Sequence, residues 1–140
     1  MACGRGSRSG LTILEVVIAL SIFMVGSAGI CALIVQSKRL SDTARDHYVA
    51  VNLAKNRMER ARNMQYDTLP FLVESNQYID VSGAVVQPVE AMFKRKTDVL
   101  LTGSNLTEVV ITVEIRDRGT WVFSGSKEVV RTYFAEYQSP

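Results

Sequence analysis

Between Leu11 and Val35 run 25 residues with one charged side chain, Glu15, near the start. At about 1.5 Å per helical residue this stretch extends roughly 37 Å, enough to cross a hydrocarbon layer of about 30 Å with some tilt. The run is therefore expected to be a membrane helix. A carboxylate inside such a helix costs on the order of 2.5 to 3.5 kcal/mol at the bilayer centre and less near the interface, so Glu15 needs a reason, and a partner is the natural one. A secretory signal peptide has an apolar core of only about 7 to 15 residues. Ser27-Ala28-Gly29-Ile30-Cys31 also fails as a lipoprotein box, because Ile30 fills the small position before the cysteine. An ordinary signal anchor is the stronger rival, and only Gly10 and Glu15 argue against it.

The ten residues before the run, MACGRGSRSG, are rich in Gly and Ser and hold Arg5 and Arg8 with no acid. They read as a disordered leader that obeys the positive-inside rule, with the N-terminus in the cytoplasm and the C-terminus across the membrane. A basic leader ending in Gly10, then LTILE and a spanning run, resembles the N-terminal signature of type IV pilins and type II secretion pseudopilins. Thr12, Ile13 and Leu14 fill the spacing as in that family's FTLIE form. The departure is Leu11, where phenylalanine or methionine is usual; leucine keeps the apolar character.

The resemblance implies that a prepilin peptidase cuts after Gly10, leaving Leu11 as the mature N-terminus, usually methylated. Glu15 then becomes the fifth residue of the mature chain and, with Thr12, an assembly position. The implied partners are other pilin or pseudopilin subunits, the prepilin peptidase, an inner-membrane platform with its ATPase, and membrane lipid before assembly. The implied location is a bacterial inner membrane, crossed once with a periplasmic head, and then a type IV pilus or secretion pseudopilus. The alternative is a signal-anchored binding module that does not assemble.

Past Gln36 polarity rises, yet no proline occurs before Pro70 and no glycine between Gly29 and Gly83. Leu40, Ala44, His47, Val51, Ala54, Met58 and Ala61 recur at spacings of 3 and 4. That is a narrow helical stripe, so one helix is expected from about Leu11 to about Met64. Residues 11–35 form its transmembrane or filament-core half and residues 36–64 its amphipathic continuation. Gly26 and Gly29 lower helix propensity by about 1 kcal/mol each in water, but in a membrane they permit close approach or local unwinding. The segment from Ala50 to Leu69 is similar to the helix end of minor pseudopilins and minor pilins, with Leu53, Ala54, Met58, Glu59, Arg62 and Tyr66 as the matching residues.

Residues 65–140 are expected to be a β-rich periplasmic head, small enough to lean on the preceding helix for its core. Residues 38–62 carry seven basic and three acidic side chains, and residues 63–140 seven basic and ten acidic. The opposite signs suit lateral packing between neighbouring subunits. Cys3 and Cys31 are the two cysteines, so no disulfide staples the head. Major type IV pilins often have a C-terminal disulfide loop, and its absence favours a minor pilin or pseudopilin.

Within the head, Gln77–Val81 and Ala84–Val89 flank Ser82-Gly83 and suggest a hairpin. Lys94-Arg95-Lys96 reads as a solvated loop. From Glu108 to Asp117, Val109, Ile111, Val113 and Ile115 alternate with Val110, Thr112, Glu114 and Arg116, the strongest strand signal in the chain. Arg118-Gly119 and Gly125-Ser126 are read as turns, with strands at Thr120–Ser124 and Glu128–Tyr137. The fold class expected is α+β, a long N-terminal helix packed by a small three- to four-stranded antiparallel sheet.

Catalytic signatures are missing. One histidine, His47, lies on the helical stripe, where packing or hydrogen bonding accounts for it. A zinc or calcium site needs several converging ligands, and Asp98, Asn105 and Glu108 are scattered. No Gly-rich phosphate loop, nucleophile elbow or paired-carboxylate signature is present. Asn105-Leu106-Thr107 matches a glycosylation sequon, a short pattern that arises often by chance. No enzyme activity, cofactor, metal or nucleic-acid partner is expected, and the reading is a structural subunit in the minor pilin or minor pseudopilin position.

Overall fold

One helix, α1 (Ile13–Arg62), takes up the first half of the computed structural model, which describes residues 12–103 and 105–136. Its limits fall within two residues of those read from the stripe. Arg60 and Arg62 occupy the last turn, where cationic side chains oppose the negative end of the helix dipole. The chain divides into two compact units at Ser41 and Asp42, and α1 contributes to both.

In the first unit the helix is apolar and open on every side. Ile13, Ile22, Phe23, Val25 and Leu33 all stand more than two thirds exposed. This is the one helix among the described residues long and apolar enough to cross a membrane.

The second unit is built on a four-stranded antiparallel sheet in sequence order: β1 (Glu74–Ile79), β2 (Phe93–Leu101), β3 (Leu106–Arg116) and β4 (Phe123–Ala135). Val109, Ile111, Val113 and Ile115 of β3 point inward and are buried, as their alternation predicts. They meet Ala50, Leu53, Ala54, Met58 and Ala61 of α1, with Ile79 and Phe93 from the neighbouring strands. Ala50, Ala54 and Ala61 are fully buried, and side chains this small let a sheet lie close to a helix. Leu69 and Leu72, from a 3₁₀ turn over Tyr66–Leu72, close one end of this core.

Several expectations are corrected. Lys94-Arg95-Lys96 is not a loop but part of β2, the strand between β1 and β3. The hairpin partner of β1 is therefore β2, and of the expected Ala84–Val89 strand only a single bridge from Val85 to Ile79 exists. The turn at Ser82-Gly83 is present: Gly83 donates to the Asp80 carbonyl at φ +85°, and a Cβ there would meet Leu53 at 3.1 Å. Gly125-Ser126 is not a turn. Gly125, at φ +91°, lies inside β4, where the register against β3 slips between Glu114 and Arg116, so the extra residues form a bulge in one long strand.

The helical stripe also shifts. Leu40 and Ala44 are exposed, and burial starts at Asp46 and continues through Ala50, Leu53, Ala54, Arg57, Met58 and Ala61. Two charged residues sit on the buried face because partners from the sheet side reach them.

Candidate functional site

The N-terminal end of α1 holds the site residues named from the sequence. Gly10 and Leu11, the expected cleavage junction, lie outside the described residues. Thr12 stands just before the helix, its carbonyl accepting from the Val16 amide at 3.2 Å and its hydroxyl from the Glu15 amide at 3.3 Å. Thr12 thus caps the helix, and Thr12-x-x-Glu15 has the residue pattern of a capping box, with the acid at the third helical position. A carboxylate there also faces the positive end of the helix dipole.

Local physics therefore asks for an acid or amide at position 15 even in an isolated chain. A glutamine serves a capping box as well as glutamate does, whereas attraction to a cation needs the charge. Substitution separates the two demands. Glu15 is flanked by exposed Ile13, Leu14, Val16 and Val17, so its carboxylate sits in an apolar band. Ser21 returns its hydroxyl to the Val17 carbonyl at 2.8 Å, which removes it as a free polar group. A Cβ at Gly26 or Gly29 would meet nothing within 4 Å.

The second unit carries three polar clusters, two of which the sequence reading missed. Glu74 of β1 bridges two buried arginines, forming an ion pair with Arg57 of α1 at 2.7 Å and accepting hydrogen bonds from Arg95 of β2 at 2.9 and 3.3 Å. Arg57 also donates to the Leu72 carbonyl at 3.2 Å, while its Nε is buried without a partner. Burial pulls the Arg57 guanidinium below its usual range, against the attraction of Glu74. Asp46, 6% exposed, takes two hydrogen bonds of 2.7 Å from Arg118, and that pairing raises Arg118 above the usual arginine value. His47 Nδ1 lies 2.7 Å from Glu128 and Nε2 3.3 Å from the Ser126 hydroxyl, the hydrogen-bonding role expected of it.

At one end of the sheet the β3–β4 connection, Asp117–Val122, presents an aromatic tip. Asp117 accepts from the amides of Gly119 and Thr120 and from the Thr120 hydroxyl at 2.7 to 3.0 Å, which holds its carboxyl below the usual aspartate range. Trp121 follows at φ +57°, a left-handed conformation that costs a bulky side chain about 1 kcal/mol or more, and its indole is 59% exposed. Arg116 fixes this conformation: it donates to the carbonyls of Trp121, Val89 and Ala91 at 2.8 to 2.9 Å and lies 5.5 Å from the Trp121 ring and 5.3 Å from Phe123.

At the other end lies an apolar cleft of about 350 Å³ between the 3₁₀ turn and the β2–β3 hairpin, lined by Tyr66, Asp67, Pro70, Val73, Leu101 and Thr107. Tyr66 bonds the Thr107 hydroxyl at 2.8 Å and braces its wall. Leu101 and Phe71 stand exposed beside it. Among the described residues no three His, Cys, Asp or Glu side chains group as metal ligands. Comparison with protein-family models, with curated proteins and with solved structures gives no match.

Proposed function

We propose that this chain is a minor pilin-like structural subunit, processed by a prepilin peptidase and assembled into a type IV pilus or type II secretion pseudopilus. The observation that carries the reading is the placement of one acid, Glu15, on the first turn of an exposed, membrane-length helix that continues into the spine of a small antiparallel head. A long helix packed on such a sheet is compatible with a pilin fold.

In the proposed sequence of events the apolar half of α1 holds the subunit in the inner membrane with the head in the periplasm. Cleavage after Gly10 exposes the α-amine of Leu11. Glu15 then pairs with such an amine, its own or that of an adjacent subunit, and a charge paired in low dielectric avoids the desolvation that an unpaired one suffers. That attraction sets the register as the apolar helices leave the lipid and bundle. Neighbouring subunits, the peptidase, the platform ATPase and lipid are the only partners the role requires, and it involves no catalysis by the chain.

Mass spectrometry of the native N-terminus tests the processing step: a chain beginning at Leu11, with or without a methyl group, supports it. Retention of residues 1–10 by a protein that stays monomeric refutes it in favour of the signal-anchored module. Glu15→Gln separates pairing from capping. It preserves the helix end, and filament incorporation as good as that of the parent would remove the charge from the mechanism.

A further inference from the structure

Strand pairing fixes which loops share an end of the sheet. Ile79 at the close of β1 pairs with Phe93 at the start of β2, Phe93 pairs with Ile115, and Arg116 at the close of β3 pairs with Phe123 at the start of β4. The connections 80–92 and 117–122 therefore emerge side by side. Arg116 ties them together, donating to the Trp121 carbonyl in one and to the Val89 and Ala91 carbonyls in the other. The surface so formed is apolar: Val81, Val85, Val89, Trp121 and Val122 are all more than half exposed. Asp80 and Asp117 spend their carboxylates on their own loops, each accepting three hydrogen bonds at 2.7 to 3.0 Å.

The same end is where α1 enters the head. Arg118, in the second connection, holds Asp46 of α1 through two hydrogen bonds of 2.7 Å, whereas the far end of β3 meets the chain beyond the helix, where Tyr66 bonds Thr107. Asp46 follows Val35, the last residue of the apolar run, by 11 residues of the continuous α1, a distance of at most about 16 Å. Beyond the hydrocarbon core the polar interfacial layer extends about 5 to 8 Å on each side of a bilayer. The gap left is about 8 to 11 Å, and any tilt of the helix narrows it. Trp121 lies three residues from Arg118, a span of up to about 10 Å, so it reaches the interfacial layer.

We propose that, while the chain sits in a bilayer, this end of the head rests on the membrane surface, with Trp121 and the flanking valines inserted in the interfacial layer. The contact rests on the membrane reading of α1 and on none of the steps of filament assembly. Lipid is the occupant for three reasons. The surface is tethered beside the bilayer by its own spanning helix, which gives lipid a local concentration that no diffusing partner has. Tryptophan is the side chain the interface favours, an apolar ring with one N–H to leave in water. Residues 36–45, 80–92 and 116–122 together hold five basic and four acidic side chains, so the contact is apolar and indifferent to anionic lipid. A surface too small to hold lipid alone becomes effective once the helix makes the contact intramolecular, and withdrawal of the chain from the bilayer has to break it.

Trp121 is the only tryptophan, so its emission reports this surface alone. The test reconstitutes the full-length chain in phosphatidylcholine vesicles. Lipid brominated near the glycerol end of its acyl chains should quench Trp121 at least about twice as strongly as lipid brominated near the methyl end, in keeping with insertion of about 5 to 10 Å. Salt at about 1 M, which cuts the Debye length to about 3 Å, should leave the quenching unchanged, as should partial replacement of the lipid by phosphatidylglycerol. Val89→Asp combined with Val122→Asp, both at exposed positions, should lower the quenching several-fold at an unchanged circular dichroism spectrum. Quenching that survives this pair, or that disappears in salt, would overturn the proposal. Blue-shifted emission that no brominated lipid quenches would overturn it too, since another copy of the chain would then cover the ring. Unquenched, unshifted emission from a chain that resists carbonate extraction would overturn the head contact and leave the membrane helix standing. A chain that carbonate releases from the vesicles would overturn both.

Discussion

Glu74 joins three elements through its carboxylate, and its removal should be the most damaging polar substitution in the head. Arg57 and Arg95 are each 9% exposed, and the one negative charge shared between them allows both to remain charged there. Breaking a buried ion pair by deleting one partner costs about 3 to 5 kcal/mol, because the remaining charge stays desolvated. Glu74 retains 22% side-chain exposure, so water reaches part of the cluster and the lower end, about 3 kcal/mol, is expected for Glu74→Ala. That is about two orders of magnitude in the ratio of folded to unfolded chains, in a fold whose total stability is about 5 to 15 kcal/mol.

Deleting Arg57 should behave differently. Arg57→Met removes a guanidinium whose Nε is buried without a partner, and Glu74 keeps both of its bonds to Arg95. The cost should be about 1 kcal/mol or less, since an apolar group of similar length fills the same space. Urea unfolding of the detergent-solubilised full chain, followed by the fluorescence of its single tryptophan, Trp121, measures both. The physics predicts Glu74→Ala well below Arg57→Met in stability. The reverse order, or a Glu74→Ala loss under 1 kcal/mol, would refute the claim that the Glu74 charge is what lets Arg57 and Arg95 stay buried.

Three further outcomes are expected. Ile111→Ala, at a fully buried site in the centre of the core, should cost about 2 to 5 kcal/mol by the same unfolding assay. Asp117 has its carboxyl held below the usual aspartate value of about 3.9, so its contribution to the tip is present above that pH and lost as pH falls through the lower folded value. Trp121 fluorescence should therefore stay constant from pH 7 to about pH 4 and change only below it, and Asp117→Asn should flatten that response. Thr12→Ala removes the cap hydroxyl and should lose about 0.5 to 2 kcal/mol at the helix end, read as faster hydrogen exchange at the amides of residues 13–16.

What could be read from the residues, and what could not, follows from the range of each interaction. β3 was legible because Val109, Ile111, Val113 and Ile115 repeat every second residue with polar or half-exposed partners between them. β2 has the same period, but Phe93, Arg95 and Thr97 are its inward residues, so an arginine and a threonine broke the apolar pattern. The partner that permits Arg95 inside is Glu74, 21 residues away, and no spacing rule links the two. Asp46 and Arg57 were missed on the helix face for the same reason, their partners lying on Arg118 and Glu74. Gly125-Ser126 signals a turn or a bulge equally well in local terms, and the continued pairing of β3 beyond Glu114 decides for the bulge. At the start of α1 the signals are local, a threonine, an acid three residues on and an apolar run, and they show as a cap at Thr12 with Glu15 on the first turn, the helix starting two residues after the expected Leu11.

The cap at Thr12 bears on how Glu15 tolerates its surroundings. An ionised carboxylate offers about four acceptor positions, and a completed capping box would supply one donor to them, the amide of the capping residue, whereas the bond made here is from the Glu15 amide to the Thr12 hydroxyl. The helix dipole adds attraction of about 0.3 to 1 kcal/mol, somewhat more where water is excluded. Against a penalty on the order of 2.5 to 3.5 kcal/mol for a charge within the membrane, these supports lower the cost of Glu15 without removing it. A residual cost of 1 to 3 kcal/mol, roughly, is large enough to favour pairing with a cation and small enough to let the unpaired subunit persist in lipid. If capping alone explained the acid, Glu15→Gln would relieve that cost and incorporate at least as well as the parent. A loss of incorporation in Glu15→Gln, with the α1 amides as protected as before, would require the charge itself.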